Sequence, residues 1–178
     1  MKVVLISGKA RHGKDTAAEI LKEQLSDRGE RTLITHFADL VKYVCRTFLD
    51  WDGSKDERGR GMLQYVGTDV VRSANPDYWV DFVVSILTFF HDRWDYVIVP
   101  DTRFPNEIER IRDAGFETFH LRVVRPDFDG GLDGSAGEHI SETALDNYPR
   151  DALIVNHGDG SYRDGIIELM KNSFFGKE

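Results

Sequence analysis

The sequence predicts an α/β protein, with a parallel sheet that carries helices on both faces. Strand-like and helix-like segments alternate along all 178 residues. The chain opens with a strand-length apolar run, Val3–Ile6, directly before a glycine-rich loop and an amphipathic segment. A second continuous apolar run, Tyr96–Val99, is typical of a strand buried on both faces. Strands separated by helices form parallel sheets through right-handed crossovers, which gives this fold class.

The individual elements follow from their hydrophobic periodicity. A helix over 15–28 is indicated by apolar residues at helical spacing, among them Ala17, Leu21 and Leu25, and Gly29 ends it. The same criteria predict strands at 32–37, 96–99, 117–124 and 153–155, and helices at 39–49, 55–74, 77–93, 106–114 and 162–174. Because the carboxyl ends of parallel strands share one edge, the loop segments that follow them should meet there. Three segments belong to that edge: 8–16, 36–39 and 101–103.

The loop after the first strand has a phosphate-binding pattern: Gly8, four residues, Gly13 and Lys14. Glycines let the backbone turn tightly and point N–H groups at phosphate oxygens, and the lysine adds a positive charge. The position after the lysine, commonly Ser or Thr, is Asp15, and the hydroxyl follows as Thr16. A carboxylate beside phosphates is repulsive unless a magnesium ion lies between them.

Composition limits the classes of partner. A net charge of −8 argues against a nucleic-acid polymer as the main partner, whereas a small phosphorylated ligand remains compatible. Cys45 is the only cysteine, so no internal disulfide forms and a cytoplasmic location is expected. The N-terminal apolar run is too short for a secretory leader.

Two other segments carry expectations about organisation. The stretch Tyr78–Phe90 contains Asp81 and is too short to span a bilayer, so we expect a helix buried on most of its surface and no membrane partner. Residues Asp127–Gly137 are rich in Asp and Gly and read as a mobile loop inside a single domain covering 1–178. The segment His139–Glu142 after it reads as a helix start capped by Ser141.

Asp101 directly follows the buried strand, where nucleotide-binding folds often hold a magnesium-linked carboxylate. Arg103, two residues on, is placed to clamp a phosphate. The alternative is an ordinary strand-to-helix turn in which Asp101 caps backbone groups. With the phosphate-binding loop nearby, the functional interpretation is favoured.

Phosphoryl transfer needs several cations, because charge accumulates on the moving group and on both partners. Arg122 and Arg125 flank the Asp/Gly-rich stretch, where a closing lid would carry them over phosphates. His12 inside the loop reads as a spacer. The full set of candidate cations is Lys42, Arg46, Arg58, Arg60, Arg72, Arg103, Arg122 and Arg125.

These features together resemble the deoxynucleoside monophosphate kinases of the phage type, within the P-loop nucleoside monophosphate kinase superfamily. The matching blocks run in family order over nearly the whole chain. They are GKARHGKDT at 8–16, FADLVK at 37–42, LQYVGTDVVR at 63–72 with DYWV at 77–80, VIVPDTRFPNE at 97–107, HISETALD at 139–146 and LIVNHGDG at 153–160. The Gly-Lys-Asp-Thr sequence is itself shared with that group.

The resemblance implies a P-loop NTPase fold: three α/β/α layers, a five-stranded parallel sheet, a substrate-binding helical region at about 39–93 and a lid at about 122–140. ATP with Mg²⁺ would phosphorylate a (deoxy)nucleoside monophosphate, and a homodimer is plausible. The implied ATP-binding residues are Gly8, Lys9, Ala10, Arg11, His12, Gly13, Lys14, Asp15, Thr16 and Asn156. Asp15 and Asp101 would be metal ligands. The implied catalytic residues are Lys14, Arg72, Asp101, Arg103 and Arg125, and the implied acceptor-binding residues are Lys42, Arg72, Trp79, Asp101 and Arg103.

Two other functions stay open from the sequence. Animal-type phosphomevalonate kinases look similar in the loop and around Asp101–Arg103, so another small phosphate ester is a possible acceptor. A nucleotide-dependent switch that transfers no phosphate to a metabolite is the second. GTPase switches read guanine with Asn-Lys-x-Asp, which this sequence lacks.

Overall fold

Five parallel strands form one sheet in the computed structural model, which describes residues 1–54, 56–126, 128 and 139–176. Their order across the sheet is β2-β3-β1-β4-β5. The strands are β1 (Lys2–Ser7), β2 (Thr32–Ile34), β3 (Tyr96–Thr102), β4 (Glu117–Val124) and β5 (Ala152–Val155). The central strand β1 pairs with β3 on one side and β4 on the other. The predicted parallel α/β sheet is confirmed.

Helices cover both faces of this sheet. They are α1 (Lys14–Asp27), α2 (Ala38–Phe48), α3 (Glu57–Gln64), α4 (Val71–Ala74), α5 (Tyr78–Phe89), α6 (Pro105–Asp113), α7 (Ile140–Thr143) and α8 (Ser161–Leu169). Alternate β1 side chains point to opposite faces, as strand geometry requires. Val4 and Ile6 pack with α1 and α8, while Val3 and Leu5 pack with α5 and α6. The result is three α/β/α layers.

Strand β3 is longer than the predicted 96–99, so Asp101 lies within its last residues rather than after it. The extension passes through Pro100, which has no N–H to donate to a neighbouring strand. The β1–β3 register shifts at this point: Leu5 is opposite Val99, but Ser7 is opposite Thr102. Such an irregularity accommodates a proline in an interior strand.

Strand β2 ends at Ile34, three residues before the predicted end. The N–H of Thr35 still donates to the carbonyl of Ile98, but the next two N–H groups bind carboxylates instead. The His36 N–H donates to Asp39 Oδ2 and the Phe37 N–H to Asp101 Oδ1, each at 3.0 Å. Side chains therefore end the strand and begin α2.

The predicted helix 55–74 is resolved into α3, a π-helical segment Tyr65–Val70, and α4. Lys55, its predicted first residue, lies outside the described residues. These elements share a small core of their own with α2 and the start of α5. Its buried members are Val41, Cys45, Trp51, Val66 and Trp79.

Helix α5 corrects the expectation of burial on most of its surface. Trp79, Val80, Val83 and Leu87 are buried, but Phe89 is 76% exposed. Further exposed aromatic residues of this stretch are Tyr78, Phe82 and Phe90. No helix among the described residues is long and apolar enough to cross a membrane.

The C-terminal helix is shorter than the predicted 162–174. Helix α8 ends at Leu169, and a 3-10 turn, Ser173–Phe175, follows. The Asn172 side chain accepts from the Phe174 N–H and caps this turn. Phe174 and Phe175 are both buried, and their rings contact that of Phe119 at centroid distances of 5.1 and 5.3 Å. Packing against the sheet thus replaces the last predicted helical turns.

Candidate active site

The phosphate-binding loop connects β1 to α1, and its backbone requires glycine at both glycine positions of the pattern. Gly8 has φ +150° and Gly13 has φ +102°. A Cβ on Gly8 would lie 2.3 Å from the Val123 carbonyl oxygen, and one on Gly13 would lie 2.6 Å from Asn156 Nδ2. A side chain at Gly8 would collide with the backbone of β4, and one at Gly13 would require the Asn156 amide to move.

Lys14 is the first residue of α1, and its side chain folds back over the loop. Its Nζ donates to the carbonyl oxygens of Gly8 and Lys9 at 2.7 and 2.8 Å. Burial, followed by the nearby Arg103 guanidinium, lowers the pKa of Lys14 to about 8. The ammonium is therefore poorly hydrated, which strengthens its attraction for an anion that enters the loop.

Charged side chains from the loop and α2 meet around His36. Its Nε2 lies 3.6 Å from Asp15 Oδ1, and its Nδ1 lies 3.4 Å from Asp39 Oδ2. Hydrogen bonds to Asp15 and then Asp39 raise the pKa of His36 to about 9, so the imidazole is charged at neutral pH. Lys42 Nζ binds the same Asp39 at 2.9 Å. Burial alone would raise the pKa of Asp39, but the hydrogen bonds from His36 and Lys42 outweigh it and lower that pKa.

Asp101 holds the start of α2. Its two carboxylate oxygens accept the N–H groups of Phe37 and Ala38, both at 3.0 Å. This is the capping role that the sequence left as an alternative. A carboxylate oxygen carries more than one lone pair, so these two bonds do not exhaust its capacity to accept.

Arg72, from α4, is fixed by a buried carboxylate and an aromatic ring. Its Nη2 donates to Glu107 Oε1 at 2.6 Å, and its guanidinium lies 3.9 Å from the centroid of the Phe104 ring. Glu107 Oε2 also accepts the backbone N–H groups of Arg103 and Phe104. Burial raises the pKa of Glu107 to about 7, although Arg72 opposes that shift.

Arg103 has a buried carboxylate partner as well, on α7. Its Nη1 pairs with Glu142 and donates to the Ser141 carbonyl oxygen at 3.0 Å. Glu142 Oε2 accepts the N–H of Ala10 in the phosphate-binding loop at 2.8 Å. The cap of α7 is His139, whose ring accepts the Ser141 N–H, so the expectation that Ser141 is the cap is wrong.

Most of these side chains line one cavity of about 520 Å³ at the carboxyl edge of the sheet. The loop segment contributes Lys14 and Asp15, and the helical region contributes Lys42, Arg60 and Arg72. Predicted site residues that line the cavity are Ala10, Arg11, Lys14, Asp15, Lys42, Arg72, Trp79, Asp101 and Arg103. The indole of Trp79 donates to the Gly67 carbonyl oxygen at 2.8 Å and forms part of the wall.

The remaining predicted residues do not line this cavity. They are Gly8, Lys9, His12, Gly13, Thr16, Arg125 and Asn156. His12 is more than a spacer. Its Nδ1 accepts the Arg125 N–H at 3.1 Å, and its carbonyl oxygen accepts from Asn156 Nδ2 at 2.9 Å. It therefore connects the loop to the ends of β4 and β5.

Two candidate cations for a lid point elsewhere in this structure. The Arg125 guanidinium stacks on Phe128, 4.7 Å from the ring centroid, and Arg122 pairs with Asp146. Asp127 and residues 129–138, which make up most of the predicted mobile loop and lid, lie outside the described residues.

Sequence reasoning missed His36, Glu107 and Glu142 as members of this site. All three occur inside or next to the quoted blocks, but acidic residues there resemble ordinary helix-start residues. The signal for the two glutamates is burial: Glu107 is 2% exposed and Glu142 is 8% exposed. Charged residues are rarely buried without a partner, but burial of a single carboxylate cannot be read from sequence periodicity.

No group of three or more His, Cys, Asp or Glu side chains that could hold a metal ion occurs among the described residues. Mg²⁺ sites commonly use one or two carboxylates together with phosphate oxygens and water. The exposed Asp15 carboxylate at the cavity fits such a site.

Comparison with known proteins assigns the chain to a family. A family model described as deoxynucleotide monophosphate kinase matches residues 57–164. The deoxynucleotide monophosphate kinase of Enterobacteria phage T4 is 37% identical over 116 residues, which cover 64% of this chain and 44% of the relative. That of Escherichia phage RB69 is 34% identical over 114 residues, covering 63% and 43%. The chain thus matches less than half the length of these two relatives.

A likeness to a solved structure concerns the fold alone. The Mycobacterium tuberculosis APS kinase CysC, in complex with AMPPNP and APS, superposes with a TM-score of 0.55 at 15% identity. The match covers 95% of each chain. This neighbour supports the three-layer α/β arrangement of the chain.

Proposed function

Because the chain belongs to the deoxynucleotide monophosphate kinase family, we propose that it transfers the γ-phosphoryl group of ATP to a (deoxy)nucleoside monophosphate. The observation that carries this proposal is the shared cavity. Lys14 and Asp15 reach it from the start of α1, Asp101 and Arg103 from the carboxyl end of β3, and Arg72 from α4. A donor phosphate held at the loop and an acceptor phosphate can therefore meet in this one cavity.

The residues present fit the phosphates of ATP. Main-chain N–H groups of a tight glycine turn and the first turn of α1 provide donors for oxygen anions. Lys14 would exchange its two carbonyl partners for phosphate oxygens. Mg²⁺-ATP supplies the transferable phosphoryl group and neutralises part of its charge. Asp15 and Asp101 are the two proposed metal ligands, because both carboxylates line the cavity.

The acceptor would bind on the side of the helical region, at about 39–93. Lys42 and Arg72 supply positive charge there, and Trp79 shapes the wall. The acceptor phosphate is already an anion at neutral pH, so it can attack without a protein base. Catalysis then depends on in-line positioning and on charge neutralisation by Lys14 and Arg103. Arg125 and the lid at about 122–140 stay part of the proposal as the residues that would close over the phosphates.

Two further features complete the proposal. A cytoplasmic location is supported by the single cysteine, Cys45, which is buried. Assembly as a homodimer is supported by the exposed aromatic residues of α5, since single-sided apolar patches often mark protein contacts.

An acceptor panel tests the proposed function. ADP release from Mg²⁺-ATP is followed with each of the four deoxynucleoside monophosphates, their ribose counterparts and phosphomevalonate. We expect stimulation of at least about 100-fold over the acceptor-free rate with one or more nucleotides, because positioning of two substrates contributes factors of this order or more. Stimulation by phosphomevalonate alone would indicate a kinase for another small phosphate ester instead of a nucleotide kinase. A flat panel with intact ATP binding would favour a nucleotide-binding switch.

A further inference from the structure

We propose that Glu142 is a positioning residue, whose buried carboxylate holds Arg103 at the cavity and the phosphate-binding loop at Ala10. The inference rests on the proposed function, because Arg103 is there assigned to the phosphates. Glu142 does not need to touch substrate for this role. It acts by fixing one side chain that does, together with one backbone N–H of the loop.

The geometry gives each carboxylate oxygen a separate partner. Oε1 pairs with Arg103 Nη1, and Oε2 accepts the Ala10 N–H at 2.8 Å. The Ser141 carbonyl oxygen, one residue earlier, accepts from the same Arg103 nitrogen. The start of α7 thus presents two acceptors to one guanidinium, which restricts its orientation more than one contact would.

Burial indicates that this carboxylate serves the site rather than the surface. The Glu142 side chain is 6% exposed, and that of Arg103 is 30% exposed. A buried carboxylate is retained only where charged and N–H partners compensate its lost hydration. Here those partners come from β1–α1 and from the end of β3, the two segments that flank the cavity.

An exposed arginine–glutamate pair offers a matched control on the surface. Glu23 on α1 binds Arg163 on α8 at 2.8 Å, and the two side chains are 52% and 45% exposed. Neither residue lines the cavity. Exposed ion pairs of this kind contribute little to folding stability. Glu23→Gln makes the same chemical change as Glu142→Gln and should leave kcat within about twofold of wild type.

A double-mutant cycle separates positioning of Arg103 from a general structural role. We expect Glu142→Gln to lower kcat about 100-fold, because small displacements of a catalytic group cost factors of this size. Glu142→Asp, which keeps the charge on a shorter side chain, should recover part of the loss. In an Arg103→Ala background, Glu142→Gln should change kcat less than about threefold, since no guanidinium remains to be positioned. Multiplicative losses in the double variant would contradict the proposal.

Amide hydrogen exchange of the full chain gives a readout besides activity. Replacement by alanine removes the acceptor for the Ala10 N–H, so Glu142→Ala should increase exchange at that amide about tenfold or more. Arg103→Ala keeps the acceptor and should not. Unchanged exchange at Ala10 in Glu142→Ala would overturn the inference. If wild type phosphorylates no acceptor, the proposed function fails. The exchange result still tests whether Glu142 holds the Ala10 N–H, because it does not depend on activity.

Discussion

Carboxylates, rather than hydroxyls or amides, set the positions of many polar groups around the cavity. Asp101 holds two N–H groups at the start of α2, Glu107 holds Arg72, and Glu142 holds Arg103. Charge-assisted hydrogen bonds are stronger and more directional than neutral ones, which suits groups that must stay oriented in a polar cavity. Removal of one partner leaves the other charge buried without compensation. A single substitution here should therefore lower the free energy of unfolding by more than the intact pair adds to it.

His36 is the residue for which pH dependence is predicted. Its folded-state pKa is raised to about 9, above the ordinary value of 6.5, so the folded chain keeps a proton that the unfolded chain releases. The stabilisation is fully present below pH 6.5 and is lost as pH rises through about 9. We expect His36→Asn to remove roughly 1 kcal/mol of the fall in unfolding free energy between pH 6 and 8, after solvent screening.

Urea unfolding of wild type and His36→Asn at pH 6, 7 and 8 checks this prediction. Lys14 and Glu107, whose pKa values are about 8 and about 7, titrate in both proteins, so their contributions cancel in the comparison. The difference in unfolding free energy between wild type and His36→Asn should become smaller as pH rises. A difference that stays constant over the range would show that the charge of His36 does not stabilise the fold.

At the scale of elements, the helical region from α3 to α4 depends on close approach between segments. Gly59 in α3 lies against the Trp51–Ser54 turn, and its N–H binds the Asp56 side chain at 2.7 Å. The π-helical segment that follows is anchored by Trp79, whose indole binds Gly67. These contacts fix the wall of the cavity that carries Arg60 and Gln64.

Two glycines of α3 should respond to alanine in opposite ways. A Cβ on Gly59 would lie 2.0 Å from the Ser54 carbonyl oxygen, whereas one on Gly61 would meet nothing within 4 Å. Gly59→Ala should therefore destabilise the chain by about 1–3 kcal/mol through overpacking. Gly61→Ala should stabilise it by about 0.5–1 kcal/mol, because glycine is unfavourable inside a helix.

Thermal and urea unfolding of both variants measure these effects on the same helix. Because the substitutions are identical and only two residues apart, differences in helix propensity cancel between them. Equal changes in stability, of the same sign in both variants, would contradict the packing of Gly59 and Gly61 in α3.

Elements whose ends depend on periodicity were predictable from sequence, and those whose ends depend on distant side chains were not. Strand β4 matches its predicted bounds, Glu117–Val124. Strand β2 stops early because carboxylates of Asp39 and Asp101 capture its next N–H groups. Asp101 is 64 residues from Phe37, and hydrophobic pattern carries no information on such a pairing.

The same distinction applies to the candidate site. The loop glycines and Lys14 could be predicted because their spacing reflects a local backbone geometry. Glu142 contacts Ala10 across 132 residues, so only the fold reveals that they meet. The carboxyl ends of parallel strands share one edge, which predicted that the loops gather there. It did not predict which side chains pair at that edge.

For the molecule as a whole, charge is distributed unevenly. The chain carries a net charge of −8, yet the cavity is lined by more Lys and Arg than Asp and Glu. Its cations are Arg11, Lys14, Lys42, Arg60, Arg72 and Arg103, against the acids Asp15, Asp101, Glu107 and Glu142. The protonated His36 adds to the positive side. A locally positive cavity in an acidic protein favours small phosphorylated ligands over nucleic-acid polymers.

Transfer of labelled phosphate tests the central claim most directly. ATP labelled at the γ-phosphate is incubated with the chain, Mg²⁺ and the nucleoside monophosphate that most stimulates ADP release. We predict that the label appears in the nucleoside diphosphate, one for each ADP formed, and that Lys14→Ala lowers this rate about 1,000-fold while the fold survives. Label recovered as inorganic phosphate, or near-normal transfer by Lys14→Ala, would contradict the account.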